Sequence, residues 1–493
     1  MASSLGRTLF RHVLFPAGVA LFRPGSTAAR REMEAFQWLG PEAVREAQWR
    51  RLRSLLHHAA ATVPYYRRVF GELGLAPEDF ASPAFTPEDF ARLPLLTKDT
   101  VRREFPEGLV SEGGRTRGRS RRRPKVFETS GTTGYPLRVY RDPALRSQDH
   151  AERLFLDGWA GLRPGDQTVH LRPSVFVSRR LYPLWSLFGG GHHLPLALVT
   201  ERDAAGIAAF LERRRPDALS GLTAVLTQAA QTLRQSGRVH RVKAIIIEGE
   251  TLDAGICRIL TEAFGAPIHD RYGAREFGVG MAQSCPQRVA AGEPPYRNLH
   301  VAAWRFFMEV VDDAGRPVEP GREGRLVVTD LANRLMPFIR YDLGDIGSLA
   351  PEPCPCGRGL PLLATLIGRP TEVLVLPSGR SVPSLFLYML LEDRMSLFTE
   401  YQFIQTAADR LEIAVVPTPG AGFGPVEAAE LERRFRDYLK EPVEVVVRVV
   451  DAIALTPAGK RPLLKTLPGG EMTVGDTGAG RRPGGGRRPG GAG

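Results

Sequence analysis

From Glu128 to Arg141 the chain reads Glu-Thr-Ser-Gly-Thr-Thr-Gly-Tyr-Pro-Leu-Arg-Val-Tyr-Arg. Gly131 and Gly134 let the backbone come close to a ligand, and successive turn N–H groups form a cradle for an anion. Thr129, Ser130, Thr132 and Thr133 add hydroxyl donors at the same point. The composition is that of a phosphate-binding loop. It is not a Walker A loop, because Gly-Lys-Ser/Thr is missing and the run from Leu137 to Tyr140 alternates as a strand does. A Gly/Thr hairpin turn fits the same stretch, so the rest of the chain has to decide between the two.

A second group has the chemistry of a metal site. Cys285, Cys354 and Cys356 fall in one window with His300 between them. Three cysteines and a histidine are a standard set for structural zinc. Cys354-Pro-Cys356 followed by Gly357-Arg-Gly359 puts two thiolates on one tight turn. Cys-x-Cys is less diagnostic than Cys-x-x-Cys, so three reduced thiols and an unrelated histidine are the competing reading. Cys257 lies in a helical pattern and reads as core. His192 and His193 follow three glycines and read as solvated loop histidines.

The elements that must position these groups are legible in outline. A chain of 493 residues can bury a large core in two or three domains. Gly40-Pro41 opens a helix whose Trp49, Leu52, Leu56, Ala59 and Val63 share a face, and Pro64-Tyr-Tyr66 ends that pattern. From about Pro143 to Gly280, strand-like pieces (Thr168 to Leu171, Lys243 to Ile247) alternate with helical ones (Ala151 to Trp159, Ala204 to Arg215, Leu222 to Ser236, Leu252 to Phe264). That alternation predicts a parallel, doubly wound α/β sheet with ligands at the strands' C-terminal ends, where Glu248 and Glu250 lie. After Gly280, Phe306 to Val311, Gly324 to Thr329 and the run ending at Asp345 read as antiparallel strands. A smaller α+β unit follows from about Arg369, with strands at Val373 to Leu376, Leu411 to Val416 and Val443 to Val450 and a helix from Pro425 to Leu439.

Charge and hydropathy exclude some classes. The net charge is +12, but seven basic residues lie between Arg115 and Lys125 and four arginines follow from Arg481, so the remainder is close to neutral. The basicity belongs to one loop, read as mobile, and to a tail over 471–493, read as disordered, and it does not point to specific nucleic-acid binding. No window is apolar for long enough to be a membrane span. The arm over 1–40 has an apolar stretch from Leu9 to Phe22, interrupted by Arg11, His12 and Pro16, without a signal-peptide cleavage site. It reads as a packed arm, with peripheral membrane contact as the alternative. Four cysteines make no disulfide scaffold, and the cytoplasm is the expected compartment.

Five separated motifs appear in one order: the loop at 129–134, Arg271-Tyr-Gly-Ala-Arg-Glu276, Arg340-Tyr-Asp-Leu-Gly-Asp345, Gly368-Arg369 and Pro457-Ala-Gly-Lys460. Together, over roughly Pro41 to Leu467, they resemble the adenylate-forming superfamily of acyl- and aryl-CoA ligases. Val63-Pro-Tyr-Tyr66, and Glu248-Gly-Glu250 followed by Tyr272-Gly-x-x-Glu276, are similar to the phenylacetate–CoA ligase-like branch, which also holds capsule-cluster ligases. The resemblance implies a large domain over 41–368 and a small mobile domain over 369–470; the cysteine–histidine spacing puts the zinc in the antiparallel part of the large domain, 281–360. It implies ATP, Mg²⁺ and coenzyme A as cofactors, a small carboxylic acid as substrate, and a homodimer.

The same resemblance assigns roles. Thr129 to Gly134 would hold the pyrophosphate end of ATP, with Thr133 and Glu276 in the chemistry and Glu276 on Mg²⁺. Tyr272 and Gly273 would pack at the adenine and the acyl carbonyl, Glu250 would join the nucleotide site, and Asp345 would accept the ribose hydroxyls, since a carboxylate is acceptor-only. Arg369 would reach ribose or phosphate, Glu372 would serve at the hinge, and Lys460 would bridge the carboxylate and α-phosphate. Three positions depart from the pattern: Tyr135 where many relatives carry lysine, Arg275 inside the Tyr272-to-Glu276 motif, and Glu372 where aspartate is common. An adenylyltransferase acting on a hydroxyl, and a silent nucleotide-binding scaffold, are the alternatives to the ligase.

Overall fold

The computed structural model describes residues 8–112, 124–128, 137–171, 192–194, 204–235, 237, 239–249, 252–278, 280–368, 373–379, 381–383, 387, 390–391, 394, 397–453 and 464–466. The readings made for the loop at 113–123 and for the tail fall outside them. The chain forms two units, one running to Pro370 and the other from Thr371 to Ile453 with the strand Leu464–Thr466. Among the described residues no helix is long and apolar enough to cross a membrane.

In the first unit, Gly40 is extended and Pro41 begins the helix Pro41–Thr62, whose Val44, Leu52, Leu55, Leu56 and Ala59 are buried. Val63 is extended at φ −111°, as a residue before proline prefers, and Pro64 opens a second helix, Pro64–Glu72. The expected break is therefore a corner between two helices. Tyr66, fully buried, donates its hydroxyl hydrogen to the Pro337 carbonyl at 3.0 Å and accepts from the Ile339 amide at 3.1 Å. That pair of bonds pins the helix to the segment leading into the strand that carries Asp345.

In chain order the strands of this unit are β1 (Lys125–Glu128), β2 (Arg138–Arg141), β3 (Thr168–Leu171), β4 (His192–Leu194), β5 (Ala218–Gly221), β6 (Ala244–Glu248), β7 (Ile268–Gly273), β8 (Gly280–Gln283), β9 (Leu299–Val301), β10 (Phe306–Val311), β11 (Gly324–Asp330), β12 (Tyr341–Leu349) and β13 (Leu362–Gly368). β1 and β2 form an antiparallel hairpin. The others make one sheet of eleven strands in the order β10-β11-β12-β13-β9-β8-β7-β6-β5-β3-β4. From β4 to β7 the neighbours are parallel, and from β7 to β10 they are antiparallel. The two characters read from the sequence thus share one continuous sheet. β6 reads as an unbroken apolar run from Ala244 to Ile247 because the sheet is buried there, with Ile245 and Ile247 at 0% exposure.

Two differences from the sequence reading have simple causes. His192 and His193 lie in edge strand β4, paired in parallel with β3, and not in a loop. A three-residue strand is too short to show alternation, and only its neighbour creates it. Asp345 is in the middle of β12, which runs on to Leu349.

The second unit has a hairpin of β14 (Val373–Val375) and β15 (Ser381–Pro383). Its four-stranded sheet follows the order β18-β17-β16-β19, with β16 (Phe398–Ala407), β17 (Arg410–Pro417), β18 (Glu444–Val449) and β19 (Leu464–Thr466). The helix Pro425–Leu439 contributes Leu431, Phe435 and Leu439 to the core around Phe403 and Ile413.

Candidate active site and a cysteine–histidine cluster

Tyr272 stands near the end of β7, where the sheet changes from parallel to antiparallel pairing. Its hydroxyl donates to Asp345 Oδ2 at 2.7 Å, joining residues 73 positions apart. Asp345 reaches that place through an irregularity: Gly344 has φ +74° and the β11–β12 register shifts between Arg325 and Val327. Such a bulge re-aims the next side chain, and glycine takes the left-handed conformation without strain. Glu276 lies in the turn between β7 and β8, almost fully buried, and its Oε1 accepts from the hydroxyl of Tyr341 at 2.8 Å. β7, its following turn and β12 therefore converge through two tyrosine–carboxylate pairs.

The sequence reading missed Tyr341, although it lies inside a quoted motif. It also missed Arg141, the last residue of the opening stretch. From the end of β2, Arg141 donates to the carbonyls of Arg275 at 3.0 Å and Glu276 at 2.6 Å, and its guanidinium lies 4.6 Å from the Phe127 ring. It fixes the backbone of the Glu276 turn against the hairpin whose strands flank residues 129–136. A Cβ at Gly278 would lie 1.7 Å from Arg141 Nη1, so only glycine admits the guanidinium there.

Behind Arg141 is a buried charge network. Asp149 lies 3.4 Å from Arg141 and 2.7 Å from Arg305. Arg305, fully buried, also holds Glu152 at 2.9 Å and grips Asp330 with two bonds of 3.0 and 2.9 Å. Burial pushes the Glu152 carboxyl up to about 7, against the pull of Arg305. The network joins the helix Pro143–Trp159 to β11 and to the carbonyl of Phe277, beside the site.

Of the residues assigned from sequence, Tyr272, Gly273, Glu276 and Asp345 are brought together. Glu248, at the end of β6, is held by Arg271 at 3.4 Å, and Arg271 also pairs with Asp157 at 2.8 Å, so that carboxylate is part of an ion pair. Thr129, Ser130, Gly131, Thr132, Thr133, Gly134, Glu250, Arg369, Glu372 and Lys460 lie outside the described residues, as does Tyr135.

The model of the AMP-binding enzyme family matches residues 126–332, the span from the hairpin through the Glu276 turn to β11. Phenylacetate–coenzyme A ligase of Thermus thermophilus is 27% identical over 363 residues, covering 70% of this chain and 74% of that one. The phenylacetate–coenzyme A ligase of Pseudomonas putida is 25% identical over 375 residues, 72% of this chain and 77% of its own. Residues 126–332 thus match an AMP-binding enzyme domain, and the chain as a whole is similar to phenylacetate–coenzyme A ligases. In fold, this ligase-like chain is similar to 2-hydroxyisobutyryl-CoA ligase in its postadenylation state, with a TM-score of 0.70 at 21% identity over 88% of this chain and 91% of that one.

The Tyr341–Glu276 bond has a testable consequence. It occupies one oxygen of Glu276 and leaves a carboxylate's remaining lone pairs for a cation. Tyr341→Phe removes the partner that orients Glu276; were that carboxylate to hold Mg²⁺, the Mg²⁺ concentration for half-maximal ATP–pyrophosphate exchange would rise about tenfold. An unchanged Mg²⁺ requirement would make Glu276 a structural residue.

In the same unit Cys285, His300, Cys354 and Cys356 are all buried, and their ligand atoms lie within 4.8 Å of one another. Cys354 and Cys285 sulfurs are 3.9 Å apart, and Cys356 Sγ is 3.3 Å from His300 Nε2. Zinc–sulfur bonds of about 2.3 Å in a tetrahedron put sulfurs about 3.8 Å apart, so the donor set fits. Burial drives the His300 imidazolium down, but the three thiols outweigh it and hold the ring at about 10. Burial raises the Cys356 thiol, yet His300 and Arg358 bring it to about 5. A buried cluster this receptive to positive charge suits a cation. β9 supplies His300, the end of β8 leads to Cys285, and the turn before β13 supplies the other two. Arg358 lies over Trp38 and Trp159 and bonds Gln37 at 2.8 Å, fastening the same turn to the N-terminal arm. Cys257 packs against the core beneath the parallel strands, and burial pushes its thiol up to about 12, which leaves it unreactive.

Proposed function

We propose that the chain is an AMP-forming acid–thiol ligase: it activates a small carboxylic acid with ATP and passes the acyl group to coenzyme A. The observation that carries this reading is the Tyr272–Asp345 bond, which brings two of the family's motifs to one place beside Glu276. A carboxylate oxygen of the substrate attacks the α-phosphorus, the bond to the β-phosphate oxygen breaks, and pyrophosphate leaves. The thiolate sulfur of coenzyme A then attacks the acyl carbonyl and AMP departs. Such chemistry needs positioned charge more than covalent help.

In this reading Asp345 accepts the ribose hydroxyls, with Tyr272 fixing the rotamer that does so. Glu276 would hold Mg²⁺, which would offset charge on the departing pyrophosphate, and Tyr341 orients it. Thr129 to Gly134, with Thr133 among them, Glu250, Arg369 and Lys460 keep the roles that the family resemblance gives them, and Glu372 that of the hinge. Arg141 anchors the Glu276 turn to the phosphate-loop hairpin.

ATP–pyrophosphate exchange over aryl, fatty and amino carboxylic acids, repeated with coenzyme A, tests the reading. Exchange with one acid class, then thioester and AMP on adding the thiol, is the expected result. Exchange that ignores the thiol would assign AMP to another acceptor, and no exchange despite ATP binding would leave a scaffold.

The four-residue cluster is proposed as a structural zinc site, closed to substrate because all four positions are filled by protein. Purified protein is expected to carry about one zinc per chain by elemental analysis. Cys356→Ser should lose the metal and lower the melting temperature, and metal-free protein of unchanged stability would rule the site out. Free thiols and the use of ATP and coenzyme A suit the cytoplasm.

A further inference from the structure

The arm from Leu9 to Phe22 is apolar on both sides. Its inward side is docked: Phe15 and Val19 are buried, Phe15 stacks on His150 at 6.4 Å, and Arg11 bonds the Pro164 carbonyl at 2.9 Å and Asp166 at 3.1 Å. Exposed to its outside are Leu9 and Val13 at 53%, Leu14 at 52%, Leu21 at 73% and Phe22 at 47%, on a π-helical turn (Phe10–Leu14) and the α-helix that follows it (Phe15–Phe22). A helix that is hydrophobic all round is normally buried, and a contiguous exposed apolar patch marks a contact surface.

Charge selects the occupant. Between Thr8 and Arg31 the chain has Arg11, Arg23, Arg30 and Arg31 and no acid. Burial, then the charges of Arg146 and Arg153, lower Arg23, against the pull of Asp149. A second copy seated on the same face by a two-fold axis would set these cations against their own equivalents. An anionic lipid surface complements them: leucine and phenylalanine enter the acyl boundary while Arg23, Arg30 and Arg31 reach the headgroups, each worth about fivefold in binding, and Arg11 stays inward on Asp166. The row from Leu9 to Leu21 is about 18 Å long, against a hydrocarbon core of about 30 Å, so the arm can lie on a bilayer but not cross it.

We propose that this arm is a peripheral anchor that seats the protein on anionic phospholipid through Leu9, Val13, Leu14, Leu21 and Phe22. The seat lies outside the site around Asp345 and does not depend on which acid is activated.

Full-length protein spun with phosphatidylcholine vesicles, with and without phosphatidylglycerol, tests it. Pelleting with the anionic vesicles alone, weakening as salt rises, is expected. Leu21→Asp should cut that binding about tenfold or more, with the melting temperature unchanged because the side chain faces outward. An environment-sensitive dye on Leu21→Cys should shift to the blue with anionic vesicles only, which reads insertion independently of pelleting. Binding to neither vesicle, or equally to both, overturns the proposal. So does a dimer seen by light scattering that Leu21→Asp dissociates, since a second copy would then be the occupant.

Discussion

Lys460→Ala is expected to lower ATP–pyrophosphate exchange about 10²- to 10³-fold while leaving thioester formation from supplied acyl-adenylate near its original rate. The expectation rests on charge. In the first half-reaction negative charge gathers between the substrate carboxylate and the α-phosphate, and a point cation there stabilises the transition state more than the ground state. In the second half-reaction AMP leaves from a carbonyl, and the family resemblance implies a different orientation of the C-terminal domain, with Lys460 withdrawn. Single-turnover assays of the two halves separate these cases. Equal loss in both would mean that the lysine serves binding or folding and not adenylation.

Arg305→Met is expected to destabilise the protein by about 3–5 kcal/mol, because it leaves Asp149, Glu152 and Asp330 around a site without its cation. The penalty should depend on pH. Glu152 titrates at about 7 in the folded protein, above its usual range, so the stability linked to its proton is full below the unfolded value and is lost as pH rises through about 7. Without Arg305 nothing comparable offsets burial, and the folded carboxyl rises further. The deficit of the variant should thus be larger at pH 8.5 than at pH 6, as denaturant melts at the two values would read. A deficit independent of pH would place the loss in packing alone.

Much of the fold was legible because it is written locally. Thr168 to Leu171 and Phe306 to Val311 were read as strands with the observed bounds, and the helix from Pro425 to Leu439 likewise, since periodicity and flanking breakers are properties of a window. Strand β16 was missed: its Phe398-Thr-Glu-Tyr-Gln-Phe mixes polar and aromatic residues, and its pairing with β17, β18's neighbour, is what gives it a place. The continuity of the eleven-stranded sheet was also invisible, because pairing across β9 and β13 is set by residues about sixty positions apart. In the candidate site, Tyr272, Glu276 and Asp345 were found through motifs. Arg141 and Tyr341 were not, since their roles come from what the fold sets opposite them: a carbonyl turn in one case and a carboxylate in the other.

The strand order has a consequence for how this site comes into being during synthesis. Tyr272 on β7 and Asp345 on β12 are connected through the sheet by β8, β9 and β13, and β13 is the last of these to be made. A nascent chain that has emerged as far as Leu349 holds both partners of the 2.7 Å bond but lacks the central strand that sets β12 in line with β9. The sheet that holds Tyr272 and Asp345 in line can therefore close only after Leu362–Gly368 has been made, when most of the first unit has left the ribosome.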